Sequence, residues 1–305
     1  MTFCCFGLRD FHLTSTLGRK SVESLNMSLF VASLNSGSNG NCYYIGNQDE
    51  AVLIDGGISC RETVKRMKRL GLSIKKVKAV FVSHEHGDHT HGITSLSKKF
   101  QLPVYITPGT LQHGNLMLKE DKIFSFCAYE PFQIGSLTVT AFPKLHDACD
   151  PHSFVVSSST VSVGIFTDIG LPCENVIRHF RQCHAAFLEA NYDESMLEHG
   201  GYPQALKNRI RGGKGHLSNR QAMQLFTSHR PSFMSHLFLA HLSKHNNTPK
   251  IVRDLFFRVA GETQIIIASR DRETKLYHIR NVNDLHPRPL KLDPKFLEHQ
   301  LSLFP

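Results

Sequence analysis

The run Ser83-His84-Glu85-His86-Gly87-Asp88-His89 sets three imidazoles and the Asp88 carboxylate within six consecutive positions. It follows Val77-Lys78-Ala79-Val80-Phe81-Val82, an apolar stretch predicted to be a buried strand that runs into a loop. Alternate residues of an extended segment point the same way, so His84 and His86 can share one cation. Asp88 and His89 lie beyond the bend at Gly87 and can turn toward a second. A chain that uses such a run must leave a strand end open and gather further ligands around it.

The length of 305 residues suits one large domain or two small ones, and an apolar fraction of 41% supports a substantial core. No apolar run approaches the length of a membrane span, so no membrane association is expected. The eight cysteines include no C-x-x-C pair, and a chain of this size does not need disulfide staples. They are read as reduced thiols, which predicts a cytoplasmic protein. Residues 1–26 are rich in Ser and Thr and lack the apolar core of a secretory signal, while Asp10 and Glu23 argue against a transit peptide. They are expected to be a disordered extension or a mis-assigned start, with Met27 as the alternative first residue. Residues 27–280 form the expected domain, and 281–305 a basic C-terminal tail.

A formal charge of +9 points to a polyanionic partner. Eight basic residues fall between Arg61 and Lys78 against the single acid Glu62; these read as a solvated helix face. Lys207, Arg209, Arg211, Lys214 and Arg220 form a second cluster with no acid among them. It surrounds His216, a candidate catalytic histidine, and is assigned to phosphate contact.

The predicted strands are 29–34, 42–45, 51–54, 77–82, 104–106, 137–142, 154–156, 161–167, 186–189, 238–240 and 264–268. The predicted helices are 61–70, 93–100, 108–119, 173–182, 203–211, 218–228 and 249–259, with Ser218 as a cap. Two strand-rich halves, each with helices, imply two sheets packed face to face and helices outside.

Metal-type residues recur where apolar runs stop: Asp55 after Val52-Leu53-Ile54, His146 after the 137–145 run, Asp168 after Gly164-Ile165-Phe166-Thr167, and His241 after Phe238-Leu239-Ala240. Imidazole and carboxylate without cysteine fit zinc, manganese or iron. One ion is assigned His84, His86 and His146, and the other Asp88, His89 and His241. Asp168 bridges them, since a carboxylate spans the roughly 3.5–4 Å between paired metals. Asp55 is assigned to orienting a ligand histidine from behind; use as a turn residue before Gly56-Gly57 carries equal weight.

This ordered series resembles the metallo-β-lactamase fold over about residues 28–280. The resemblance implies an α/β (α+β) architecture, an αβ/βα four-layer sandwich with a two-metal cleft along one edge. The spacing from His146 to Asp168 excludes the long arm of tRNA 3′-processing relatives. That from Asp168 to His241 excludes the inserted domain of the β-CASP nucleases. A helical domain of the glyoxalase II type is not evident after residue 241. Glu189-Ala190-Asn191-Tyr192 and Gly215-His216-Leu217-Ser218-Asn219 are similar to the Glu and His elements of RNase Z-type phosphodiesterases. The resemblance gives His216 the task of protonating a leaving oxygen and Glu189 that of supporting it. Ser36-Gly37-Ser38-Asn39-Gly40-Asn41-Cys42, Thr167-Asp168-Ile169-Gly170 and Ala240-His241-Leu242-Ser243-Lys244-His245-Asn246-Asn247 narrow the resemblance to the WalJ/YycJ-like group.

That group implies a 5′→3′ exodeoxyribonuclease with a link to mismatch repair, acting on nucleic acid, with DNA as the expected substrate. The expected chemistry is attack on phosphorus by a hydroxide that two divalent ions activate (Zn²⁺ or Mn²⁺, with Fe²⁺ as the further choice) and Asp88 orients. Arg209, Arg211 and Lys214 are candidates for phosphate contact. The Ser36–Asn41 segment is read as a tight turn, with phosphate binding through its N–H groups as the alternative. An RNase Z-like phosphodiesterase of RNA or small nucleotides is the first alternative function. A thioester or lactone hydrolase and a non-catalytic regulatory metal-binding protein rank behind it. Oligomeric state is left open.

Overall fold

The computed structural model describes residues 28–281. The expectation for residues 1–26 and almost all of the predicted tail lie outside them. The tail is not basic by formal charge, because Arg288, Lys291 and Lys295 are matched by Asp284, Asp293 and Glu298.

Among the described residues, fourteen strands form two seven-stranded sheets. The first contains β1 (Leu29–Asn35), β2 (Cys42–Gly46), β3 (Ala51–Ile54), β4 (Val77–Phe81), β5 (Val104–Tyr105) and β6 (Ile123–Phe124). The second contains β7 (Pro131–Ile134), β8 (Leu137–Pro143), β9 (His152–Ser157), β10 (Ser162–Phe166), β11 (Ala185–Glu189), β12 (His236–Ala240) and β13 (Gln264–Ile267). β14 (Tyr277–Ile279) returns to the edge of the first sheet, antiparallel to β1. Both sheets pass from antiparallel to parallel pairing at the same place, β3–β4 in one and β10–β11 in the other.

The central strands β2, β3 and β11 read as nearly unbroken apolar runs because both of their faces are covered. Tyr43, Ile45, Val52, Ile54, Phe187 and Phe238 join the core between the sheets. Their neighbours Tyr44 and Leu53 turn outward beneath the helices α1 (Cys60–Arg69), α2 (Gly87–Thr90), α3 (Ile93–Phe100) and α4 (Pro108–His113) of the first half. Leu188 and Leu239 turn outward in the second half, which carries α5 (Glu174–Phe180), α6 (Glu194–His199), α7 (Gln204–Arg211), α8 (Asn219–His229) and α9 (Pro249–Phe257). Three apolar layers therefore separate four structural ones, the αβ/βα sandwich.

The structure corrects several sequence expectations. The helix predicted over 108–119 stops at His113, because Gly114 caps it and Asn115 takes a left-handed φ of 47°. The short strands β6, β7 and β14 and the helix α6 carried too little periodicity to be seen. The 61–78 basic cluster is not simply a solvated face: Arg66 is buried, donating to Leu34 O at 2.8 Å and to Asp271 O at 3.1 Å. Ser218 does cap α8, through a capping box with Gln221.

Candidate metal centre

The parallel strands β3 and β4 of one sheet deliver Asp55 and the 84–89 run. In the other sheet β8, β10, β11 and β12 run in a common direction and deliver His146, Asp168, Glu189 and His241. Open α/β sheets place ligands at the carboxyl ends of their strands. Asp55, Asp168 and His241 leave their strands with φ of 61°, 56° and 55°. Non-glycine residues held there store of order 1–3 kcal/mol each, which surrounding contacts must offset.

The potential ligand atoms of His84, His86 and His146 all lie within 4.8 Å of one another, as do those of Asp88, His89, Asp168 and His241. Asp168 Oδ1 stands 3.9 Å from His146 Nε2 and 3.6 Å from His241 Nε2, while its Oδ2 stands 3.2 Å from His89 Nε2. It therefore faces both groups. A third grouping joins Asp168, Glu189, His216 and His241.

The hydrogen bonds behind the histidines fix which nitrogen each presents. Asp55 accepts from Ser83 N–H at 2.8 Å, from the Ser83 hydroxyl at 2.9 Å and from His89 Nδ1 at 2.7 Å. With its hydroxyl hydrogen on Asp55, Ser83 Oγ accepts from His84 Nδ1 at 2.8 Å. Gly215 O can only accept, so His146 Nδ1 donates to it, at 3.1 Å. Glu189 Oε1 takes His241 Nδ1 at 3.0 Å. In each neutral imidazole the bare, inward nitrogen is thus Nε2. His86 instead turns Nδ1 inward, 3.1 Å from His84 Nε2. Among the described residues the buried atoms His146 Nε2 and Asp168 Oδ2 have no hydrogen-bond partner. Inward lone pairs, orphaned buried acceptors and an all N/O donor set fit a pair of divalent cations.

The electrostatics differ between the two groups. Burial pushes His84 well below the ordinary imidazole value and His146 down to about 4. Burial opposes charge on His89 and His241 as well. Asp168, Asp55 and Asp88 nevertheless raise His89 well above its ordinary value, and Asp168, Asp88 and Glu189 raise His241 to about 10. Protons thus occupy the carboxylate-rich half where a cation would sit.

A pH prediction follows for chelated, metal-free protein. An unfolded imidazole titrates near 6.5. Below that value the unfolded chain binds protons that native His84 and His146 refuse, so stability falls toward pH 4. Above it native His89 and His241 keep protons that the unfolded chain has released, so stability falls again toward pH 10. Melting temperature should peak near pH 6.5, and metal loading should flatten the alkaline limb by displacing those protons. A metal-free profile without an alkaline limb would contradict this assignment.

Glu189 is fully buried, and its Oε1 accepts from both His241 Nδ1 and His216 Nδ1, the latter at 2.8 Å. Its Oε2 accepts from Ile169 N–H at 2.7 Å and Leu217 N–H at 3.2 Å. His216, whose side chain is 21% exposed, is the open member of this group. Its loop is stitched to the chain after β11 by Asn191 N–H to Leu217 O at 3.0 Å and Asn219 N–H to Tyr192 O at 2.8 Å.

The Ser36–Asn41 segment, expected to be a tight turn, reaches two of the candidate ligands. Asn41 Nδ2 donates to Asp88 Oδ2 at 3.1 Å, and Ser36 Oγ accepts from His241 N–H at 2.8 Å. The N–H groups of Ser36, Gly37, Gly40 and Asn41 bond within the protein, so this turn supports ligands. Two further residues were missed because their positions show no periodic or motif signal. Lys144 is buried and donates to Thr167 O at 2.7 Å, and Asp147 Oδ1 sits 3.3 Å from His146 Nε2. Of the phosphate candidates, Arg209 pairs with Asp147 and Arg211 with Glu198. Lys214 is exposed and has no ion-pair partner among the described residues.

Gly57 holds the turn after β3 against the 84–89 loop. A Cβ there would lie 1.6 Å from Asp88 O, a backbone atom that cannot step aside. Gly57→Ala is expected to cost about 3 kcal/mol or more, measured by denaturant unfolding. An unchanged unfolding midpoint would disprove the close packing.

A two-sheet sandwich with paired His/Asp groups on one open edge defines a metal-dependent hydrolase with a dinuclear site. The chain belongs to the beta-lactamase superfamily, whose domain model matches residues 50–241. It is 32% identical over 232 residues to exodeoxyribonuclease YycJ of Bacillus anthracis, covering 74% of this chain and 87% of that relative. It is 27% identical to exodeoxyribonuclease WalJ of Streptococcus pneumoniae, covering 72% of this chain and 83% of that one. Among solved structures it resembles the metallo-beta-lactamase fold protein YhfI of Bacillus subtilis. That likeness has a TM-score of 0.64 at 16% identity, over 82% of this chain and 99% of the other. No helix among the described residues is long and apolar enough to cross a membrane.

Proposed function

We propose that this protein is a metal-dependent phosphodiesterase that degrades DNA as a 5′→3′ exonuclease. The observation that carries the reading is Glu189 Oε1 holding the Nδ1 atoms of both His241 and His216. One carboxylate thereby fixes a ligand imidazole and, beside it, a second imidazole that remains open to substrate. The named activities of the Bacillus and Streptococcus relatives support the choice of DNA. A part in mismatch repair rests on the group resemblance alone.

His84, His86 and His146 would hold one cation and Asp88, His89 and His241 the other, with Asp168 between them. The N/O donor set suits Zn²⁺, Mn²⁺ or Fe²⁺. Bound there, divalent cations supply Lewis acidity, lower the pKa of a coordinated water and screen phosphate charge. Asp88, held by Asn41, orients the attacking water. His216 donates a proton to the leaving oxygen, and buried Glu189, kept down at about 2 despite its burial by the charge and hydrogen bond of His216, fixes the ring for that transfer. Lys214 is free to meet a neighbouring phosphate, while Arg209 and Arg211 must first leave their carboxylates. Six described cysteines are free thiols, which fits a cytoplasmic location.

The test is product analysis with purified protein on end-labelled DNA, RNA and bis-p-nitrophenyl phosphate, with added Mn²⁺ or Zn²⁺. Mononucleotides released from the 5′ end of DNA are expected. Faster cleavage of RNA would move the substrate assignment, and three inert diesters would end the phosphodiesterase reading.

A further inference from the structure

A groove of about 620 Å³ opens beside the metal centre. One wall is Leu242 and Ser243, the two residues directly after His241. The opposite wall is the segment from β13 to β14, which is tied to the ligand shell. Ser36 N–H donates to Ser269 O at 3.1 Å and Asn39 Nδ2 to Arg270 O at 2.8 Å, while Ser36 Oγ receives His241 N–H. Groove and candidate catalytic cleft therefore share structural parts.

Five cations line this groove: Lys244, Arg253, Arg270, Arg272 and Lys275. None is in an ion pair with another described residue. Of the two acids there, Glu273 is already held by Arg69 through two bonds of 2.6 Å; Asp271 is the other. Arg270 Nη1 is buried without a hydrogen-bond partner among the described residues. A buried charged donor lacking an acceptor costs stability, and so do unpaired like charges facing one another. An anionic ligand relieves both.

We propose that this groove carries the sugar–phosphate backbone of the DNA strand flanking the bond being cut, gripping phosphates and not bases. The proposal rests on the phosphodiesterase reading and extends it by giving the strand a path. Spaced lysines and arginines match the repeated charge of a strand and supply affinity without sequence preference.

The test uses full-length, metal-loaded protein carrying Lys244→Gln, Arg272→Gln and Lys275→Gln together, all at exposed positions. Three quantities are measured: KM for single-stranded DNA cleavage, Kd for a labelled phosphorothioate strand across a salt series, and turnover of bis-p-nitrophenyl phosphate, which is too small to span the groove. We expect KM and Kd to rise about tenfold, and the slope of log Kd against log salt to flatten by about 2, for three lost phosphate contacts on a single strand. Small-diester turnover should not change. If the wild type degrades DNA and the variant matches it in KM and salt slope, the groove assignment alone is overturned. A wild type that cleaves the small diester but neither binds nor cuts DNA overturns the DNA reading and the groove with it. If the triple variant loses small-diester turnover as well, Lys244→Gln and Lys275→Gln decide singly. Each then flattens the salt slope by about 0.7, or the proposal fails.

Discussion

Asp168→Ala is expected to leave a folded protein that retains fewer than two divalent cations and has lost diester cleavage by about a thousandfold or more. The size follows from removing a carboxylate proposed to lie between the two cations, since metal polarisation supplies several kcal/mol to the transition state. Asp168 is the carboxylate that faces both candidate ligand groups, and its Oδ2 has no hydrogen-bond partner among the described residues. Against its burial, the charges of His241 and His89 hold it well below the usual carboxylate range. Its loss would leave those two protonated imidazoles short of a counter-charge, so metal-free Asp168→Ala should also melt earlier. Metal stoichiometry by elemental analysis is the direct check. A variant that still binds two cations would refute the bridging role.

His216→Ala should behave differently, keeping its metal while losing turnover on DNA by about 10²–10⁴-fold, the range of a missing general acid. His216 makes its bond to Glu189 from Nδ1, is not among the side chains assigned to the two cations, and is the open member of its group. Leaving-group dependence separates proton donation from damage to the site. Nitrophenolate leaves without a proton, so cleavage of bis-p-nitrophenyl phosphate should fall far less than cleavage of DNA. Equal losses on both substrates would make His216 a positioning residue and not the acid.

The 84–89 motif was legible because its candidate ligands crowd into six positions directly after an apolar strand. Asp55, His146, Asp168 and His241 stand out in the sequence because each follows an apolar run, whereas Glu189 stands out only through its resemblance to the Glu element of RNase Z-type phosphodiesterases; the fold places all five at one edge. The helix over 108–119 was overextended because apolar spacing says nothing about a left-handed residue such as Asn115. Arg66 was read as surface because charge predicts solvent unless a partner is known, and its partners Leu34 and Asp271 lie far away in sequence.

From its order of residues alone, this chain determines which side chains can bind cations and that they stand at strand ends, since strand periodicity and ligand chemistry are local properties. Which nitrogen each histidine turns inward, which basic residues are already paired and which converge on the groove beside His241 were decided only by tertiary structure. Those properties belong to pairs of groups far apart in sequence. Lys244 and Arg270 line the same groove because β12 and β13 pair in parallel, a relation that neither segment encodes by itself.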